Sequence, residues 1–241
     1  AKLRHQRACE KARNSFSDHL PPAPQPHVDR CGCCGGAGLL RSESVEFTEP
    51  NLAFPRVAII GAGLGGLALA VACRHRGIPF KIFERDAHFD QRSQGYGLTM
   101  QQASKALEGF GISELKAGIT STKHVVHTTD GVVIGEWGLR KWGRPEVKAA
   151  PSRQNVHIPR QALRRELLDA LGGDDQVLWN HQFVSFDESG EGVRLSFQES
   201  DADVKQTVHA DVVVGADGIR SAVRQQLVGD GATPLRYLGC I

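Results

Sequence analysis

Apolar positions fall into distinct rhythms along this chain, and each rhythm predicts a different kind of element. Val57-Ala58-Ile59-Ile60 is a short, wholly apolar run, the pattern of a parallel strand covered on both faces. Leu64–Arg76 follows as an apolar helix. Its last turn carries Arg74, His75 and Arg76, where cations suit the helix dipole, and Gly77 is placed to cap it. Phe80-Lys81-Ile82-Phe83-Glu84 reads as the next strand. Strand, helix and strand in so short a span make a βαβ unit, which predicts a right-handed crossover and a parallel sheet. Asp86–Tyr96 is a polar connection, and Gln101–Phe110 reads as a helix closed by Gly109 or Gly111. Val125–Thr128 and Val132–Trp137 flank Thr129-Asp130-Gly131, a hairpin signal. A helix is expected from Pro159, a residue favoured at the first helical position, to Leu171, with a buried stripe of Leu163, Leu167, Leu168 and Leu171 and a stop at Gly172-Gly173. Gln176–Trp179, Val193–Phe197 and Val204–His209 are strand-like. Asp211–Val214 reads as another buried strand, leading to a helix from about Ile219 to Leu227.

Residues 1–50 show no such rhythm. Pro21-Pro22-Ala23-Pro24-Gln25-Pro26 and a cluster of glycines predict a disordered Pro/Gly/Cys-rich leader, with the boundary near Asn51. The length of 241 residues fits one large α/β domain or two small ones, and the 40% hydrophobic content suffices for a real core. Lys plus Arg (29) against Asp plus Glu (27) leaves +2, too balanced to announce a nucleic-acid partner. Cys31, Cys33 and Cys34 crowd together without a second ligand pair of matching spacing, so free thiols are expected rather than a metal site. Cysteine usage therefore favours an intracellular compartment, with the cytoplasm the default. Organellar targeting by the basic segment around Lys2, Arg4, Arg7, Lys11 and Arg13 stays open. The uncharged run Val57–Cys73 is shorter than the ~20 apolar residues a membrane span needs. A first residue Ala1 and an end at Ile241 within an apolar stretch read as a fragment.

Two segments carry chemistry. Gly61-Ala62-Gly63-Leu64-Gly65-Gly66 joins the first strand to its helix. In such a turn Gly61 permits the bend, Gly63 lets a pyrophosphate approach the backbone, and Gly66 lets helix and sheet pack closely, with helix N–H groups facing the phosphates. Glu84 ends the second strand, where a carboxylate accepts hydrogen bonds from adenosine ribose hydroxyls and repels a 2′-phosphate. Asp217-Gly218-Ile219-Arg220-Ser221-Ala222-Val223-Arg224 lies at the carboxyl end of a strand, where open α/β sheets bind ligands. Asp217 there serves either a ligand or an ordinary helix-capping turn, with Ser221 available as the cap.

Together these stretches resemble the FAD-dependent aromatic-ring monooxygenases, flavoproteins with the p-hydroxybenzoate hydroxylase fold. Gly61–Gly66 with Ala70, Glu84 and Arg85 is similar to that family's adenosine-binding start. Arg160-Gln161-Ala162-Leu163, continuing to Leu167, is similar to its Arg-x-x-Leu-x-x-x-Leu helix. Asp217-Gly218-x-x-Ser221-x-x-Arg224 is similar to its Asp-Gly motif. The resemblance implies a Rossmann-like FAD/NAD(P)-binding α/β domain (51–120 and 156–241) with inserted strands of a partial substrate domain (121–155). It implies that Gly61, Ala62, Gly63, Leu64, Gly65 and Gly66 hold the FAD pyrophosphate and that Glu84 and Arg85 meet the adenosine end. Arg160 would lie against the flavin nucleotide, and Asp217 and Gly218 near the pyrophosphate and a passing NAD(P)H. Arg92, Leu98 and Thr99 match the segment of mobile flavin and nicotinamide contacts.

The implied activity is hydroxylation or epoxidation of a small organic substrate, aromatic ones included, with NAD(P)H and O2. No residue stands out as a catalytic acid, base or nucleophile, as expected where a cofactor carries the chemistry. The family's downstream Gly-Asp motif has no counterpart here, so a piece lacking the C-terminal half is expected. That leaves open a nucleotide-binding module without turnover, or a related FAD-dependent dehydrogenase or reductase.

Overall fold

The computed structural model describes residues 32, 47–92, 95–100, 103–138, 155–199, 205–229, 231–234 and 236. The expected leader lies outside them apart from Gly32 and residues 47–50, as do Cys31, Cys33, Cys34 and the basic segment through Arg13. Every element named below belongs to the unit Arg41–Ile241. In chain order these are β1 (Val57–Ile60), α1 (Leu64–His75), β2 (Phe80–Phe83), β3 (Gly97–Met100), α2 (Ala103–Gly109), β4 (Ile119–Thr120), β5 (Lys123–His127) and β6 (Val133–Gly138). There follow β7 (Val156–Pro159), α3 (Arg160–Leu171), β8 (Val177–Leu178), β9 (His181–Ser189), β10 (Gly192–Glu199), β11 (Lys205–Ala210), β12 (Val212–Gly215) and α4 (Ala222–Val228).

The expected βαβ unit is present: β1 and β2 pair in parallel from Val57 opposite Phe80 to Ile60 opposite Phe83. β12 adds in parallel beyond β1 and β8 beyond β2, giving the order β12-β1-β2-β8. α1 ends in a Schellman closure, with the N–H of Ile78 on the carbonyl of Cys73 and that of Gly77 on Arg74. The sheet is covered on both faces. Ile59 and Ile82 join Leu67, Val71, Leu167, Leu168 and Leu171 of α1 and α3 in one core cluster. Ala58, Ile60 and Phe83 face the other way, against Phe183, Leu195 and Phe197 of the antiparallel sheet β11-β10-β9 and Val223 of α4. This layering explains why β1 shows no polar alternation. Each fully buried Leu or Ile contributes about 1.5–3 kcal/mol relative to exposure, so the two-sided burial of β1 fixes the strand whose carboxyl end carries the glycine turn.

Several expectations need correction. Pro159 is not the first helical residue; it is the last residue of β7 and the N-cap of α3. β7 pairs antiparallel with β3 and β4, a small sheet that the short segments around Leu98 and Ile158 did not announce. β12 is half-exposed rather than buried, because among the described strands it lies at the sheet's edge, with Val212 41% exposed. α4 starts at Ala222, and Ile219-Arg220 form a turn. β9 leaves no strand signal in the sequence because its alternation is broken. Phe197 of β10 sits opposite Phe183 while Ser196 sits opposite Ser185, so a bulge takes up Val184. The bulge brings Phe183 and Phe186, three apart, within 6.4 Å of each other. The Asp-Gly hairpin is present as β5–β6, again with a register shift near its end.

Candidate functional site

The carboxyl ends of β1, β2 and β12 open onto a cleft of about 530 Å³. β1 has its crossover partner β2 on one side and β12 on the other, so this is a point where strand order reverses, the place where open α/β sheets bind ligands.

The floor is the glycine turn. Gly61 has φ +104°, and a Cβ there would sit 2.6 Å from the Ala216 carbonyl oxygen, so only glycine lets the turns after β1 and β12 touch. At Gly66 a Cβ would lie 1.9 Å from the Gly61 carbonyl oxygen, which sets how close α1 comes to the sheet. Gly63, the N-cap of α1, has no side-chain cap, and a Cβ there would meet nothing nearer than Arg160 Nη2 at 3.9 Å. Its backbone is open to the cleft.

Glu84 stands at the end of β2 as expected. Its Oε2 accepts from the Ala62 N–H at 2.8 Å and its Oε1 from the Asp86 N–H at 3.2 Å, which holds the carboxylate at the cleft wall with lone pairs to spare. Asp86, two residues on, is buried, and Arg92 Nη2 lies 3.0 Å from its Oδ1, close enough for an ion pair but not aligned as a hydrogen bond. Arg160, at the start of α3, donates its backbone N–H to the Tyr96 carbonyl and places its guanidinium 5.6 Å from the Tyr96 ring. Its Nη1 is buried without a hydrogen-bond partner. Arg164, one turn later, is buried and donates Nε to the Ala62 carbonyl (2.8 Å) and Nη1 to the Phe89 carbonyl (3.1 Å). Burial pushes its pKa down, while the nearby Glu84 and Asp86 push it back up.

Ser221 is the N-cap of α4, as the sequence suggested, and Asp217 joins it in satisfying the first N–H groups of the helix. Asp217 Oδ2 accepts from the N–H groups of Ala222 (2.7 Å) and Val223 (3.3 Å), and Ser221 Oγ donates to Asp217 Oδ1 at 2.5 Å. Ser221 Oγ in turn accepts from the Arg224 N–H at 3.0 Å. The carboxylate thus shapes the turn that brings Gly218 and Ile219 to the cleft.

Of the residues singled out from sequence, Gly61, Gly63, Glu84, Arg85, Arg92, Arg160, Asp217 and Gly218 line this one cleft. Ala62 and Gly66 lie buried beneath it, and Leu64 and Gly65 continue into α1. Leu98 and Thr99 lie on β3, opposite Ile158 and His157, and are not part of the lining. Sequence reasoning missed Asp86, Arg164, Arg220 and the β9 residues His181, Gln182 and Phe183. Arg164 left a signal, a charge within a leucine stripe; His181 to Phe183 left none, because β9 itself was not recognised. Five arginines against three carboxylates give the lining a net charge of +2 if His181 is neutral, suited to a dianionic pyrophosphate.

A family model described as FAD binding domain matches residues 55–233. The chain belongs to the FAD-binding domain family. It is 30% identical to the FAD-dependent monooxygenase thnD of Trichoderma harzianum, over 71% of this chain and 40% of that protein. It is likewise 30% identical to the chloroplastic zeaxanthin epoxidase of Nicotiana plumbaginifolia, over 72% of this chain and 26% of that one. Among solved structures, Klebsiella pneumoniae HpxO complexed with FAD and uric acid superposes with a TM-score of 0.59 at 23% identity, covering 76% of this chain and 43% of that one, a likeness of fold. The chain spans well under half the length of these relatives. The Rossmann-like α/β reading is thereby established. Among the described residues no helix is long and apolar enough to cross a membrane.

Proposed function

We propose that this chain carries the adenosine and pyrophosphate end of the FAD site of a monooxygenase that uses NAD(P)H and O2 to hydroxylate or epoxidise a small organic substrate. The observation that carries the reading is the buried, unpartnered Nη1 of Arg160 beside the open Gly63 backbone. A buried guanidinium nitrogen left without an acceptor favours an anion in that place. The donor set fits the cofactor. The Gly61–Gly66 turn would take the pyrophosphate with Arg160 and Arg92, Glu84 and Arg85 would face the ribose and adenine, and Gly218 would offer backbone from the opposite wall.

FAD, when bound, supplies the electron transfer and O2 activation that side chains lack. The chain's own part is to bind and orient. Glu84 accepts from hydroxyls, the arginines offset phosphate charge, and Asp217 holds the turn after β12 in shape. We further infer that 51–120 and 156–241 form the nucleotide domain. In this reading 121–155, with the β5–β6 hairpin, begins a substrate domain, and Leu98 and Thr99 would meet the flavin or the nicotinamide. The setting we infer is intracellular, the cytoplasm or an organelle addressed by the basic N-terminal segment. The named activities of the relatives support oxygen insertion over dehydrogenation.

The test is to load the purified chain with FAD, remove free flavin, and follow NADH- and NADPH-dependent O2 uptake with isotopically labelled O2 over a panel of aromatic and terpenoid substrates. Label in a product supports the proposal. Retained FAD with electron transfer but unlabelled product indicates a dehydrogenase or reductase. Retained FAD without turnover indicates a binding module, and failure to retain FAD refutes the site.

A further inference from the structure

Arg164 is a cation where the helix pattern asks for a leucine. It shares the inner face of α3 with Leu163, Leu167, Leu168 and Leu171 and is only 3% exposed. An apolar side chain would fill the same space without the cost of desolvating a guanidinium. The packing of α3 therefore does not explain this residue. The Arg-x-x-Leu-x-x-x-Leu pattern does not either, since it assigns Arg160, Leu163 and Leu167 but leaves 164 free.

Its contacts supply the explanation. Nε donates to the carbonyl of Ala62 at 2.8 Å, and Nη1 donates to the carbonyl of Phe89 at 3.1 Å. The rings of Phe89 and Trp179 lie 4.7 and 5.7 Å from the guanidinium carbon. Ala62 is thus held at both of its main-chain groups, its N–H by Glu84 and its carbonyl by Arg164. The carbonyl of Ala62 and the N–H of Gly63 belong to one planar trans peptide, in which they point in opposite directions. Drawing the carbonyl back toward Arg164 turns the Gly63 N–H the other way. A charged donor on the carbonyl also polarises the peptide and strengthens that N–H.

We propose that Arg164 is the positioning residue of the cleft: through the Ala62 carbonyl it fixes and polarises the Gly63 amide that receives the pyrophosphate. The inference rests on the reading of the cleft as a dinucleotide site.

It is tested in the full chain with Arg164→Met and Arg164→Lys, by titrating FAD, ADP and adenosine and by thermal melting. The expected result is that Arg164→Met weakens FAD and ADP on the order of tenfold, as loss of a charge-assisted hydrogen bond does. Adenosine, which lacks the pyrophosphate, binds unchanged, and Arg164→Lys recovers part of the ADP affinity. A purely structural role would weaken ADP and adenosine together, and that outcome overturns the proposal. So does an Arg164→Met variant that binds ADP as the unsubstituted chain does. If Arg164→Met does not fold, the ADP-to-adenosine ratio of Arg164→Lys decides by the same criterion. Failure of the unsubstituted chain to bind FAD or ADP overturns the dinucleotide reading itself and removes this inference with it.

Discussion

Replacing Gly66 or Gly65 with alanine is one substitution made at two adjacent positions of α1, and the geometry demands opposite signs. Intrinsic helix preference favours alanine at both by about 0.5–1 kcal/mol. At Gly65 no atom lies within 4 Å of the new Cβ, so that gain is unopposed. At Gly66 the Cβ would fall 1.9 Å from the Gly61 carbonyl oxygen and 3.4 Å from Ala216 Cβ. A carbon and a carbonyl oxygen come no closer than about 3.3 Å even in favourable contacts, so α1 must lift by more than an ångström. The obstacle is backbone at the end of a buried strand, which no rotamer change can move aside. Overpacking of this kind costs about 1–3 kcal/mol, which outweighs the propensity gain. For a chain of this size about 1 kcal/mol moves the melting temperature by 2–4 °C. Gly65→Ala should therefore melt a few degrees above the unsubstituted chain, and Gly66→Ala several degrees below it. Circular-dichroism melts of the three cofactor-free proteins read this directly, and FAD titration should show Gly66→Ala binding more weakly as the turn is displaced. A Gly66→Ala variant that melts as high as Gly65→Ala would refute the argument that glycine is required there for helix–sheet approach.

Three further outcomes are expected. Arg160→Met should weaken FAD by about tenfold or more while leaving the melting temperature of the cofactor-free chain unchanged or raised, because Nη1 has no protein partner to lose; paired titrations and melts check this. Ser221→Ala removes the acceptor for the Arg224 N–H and the donor to Asp217, and should cost about 1 kcal/mol, measured by denaturant unfolding. The Arg56 side chain, with its backbone N–H, holds the Asp211 carboxyl down at about 2. Since that is below the ordinary carboxylate value, its contribution is present above about pH 4 and is lost as pH falls toward 2. Asp211→Asn should melt lower than the unsubstituted chain at neutral pH, with the gap closing across that window; a gap that persists at pH 2 would count against the ion pair.

The parts of the site legible in the sequence were those fixed by local geometry. Gly61–Gly66 and Glu84 can be read because a turn between a strand and a helix constrains its own residues, and the apolar run of β1 makes that context visible. Asp217 was legible as a position but not as a role. Only the fold shows its carboxylate engaged by Ala222, Val223 and Ser221. Residues whose meaning depends on distant partners stayed hidden. Arg164 makes sense only once α3 is seen to lie against the glycine turn, a contact across 102 positions of sequence. His181, Gln182 and Phe183 reach the cleft from a strand whose period-2 signal is erased by its bulge. Leu98 and Ile158 sit in strands too short to leave a pattern, and they pair only because the chain returns at β7.

The distribution of imperfect bonding points to the same place as the motifs. The buried polar side-chain atoms without a hydrogen-bond partner among the described residues are Asp86 Oδ1, Arg160 Nη1, Gln161 Oε1 and Arg224 Nε. Asp86 and Arg160 line the cleft, Gln161 follows Arg160 on α3, and Arg224 sits on α4, whose first N–H groups Asp217 and Ser221 satisfy. Asp86 Oδ1 keeps its ion pair with Arg92, so the uncompensated group on the cleft wall is Arg160 Nη1, which costs about 1–3 kcal/mol without an acceptor. A buried cation left without an acceptor beside exposed glycine backbone is what a phosphate-bearing ligand would satisfy. A ligand that binds only the folded chain then stabilises it by about 2.7 kcal/mol at a hundredfold excess over its dissociation constant. On this argument FAD should raise the melting temperature far more in the unsubstituted chain than in Arg160→Met.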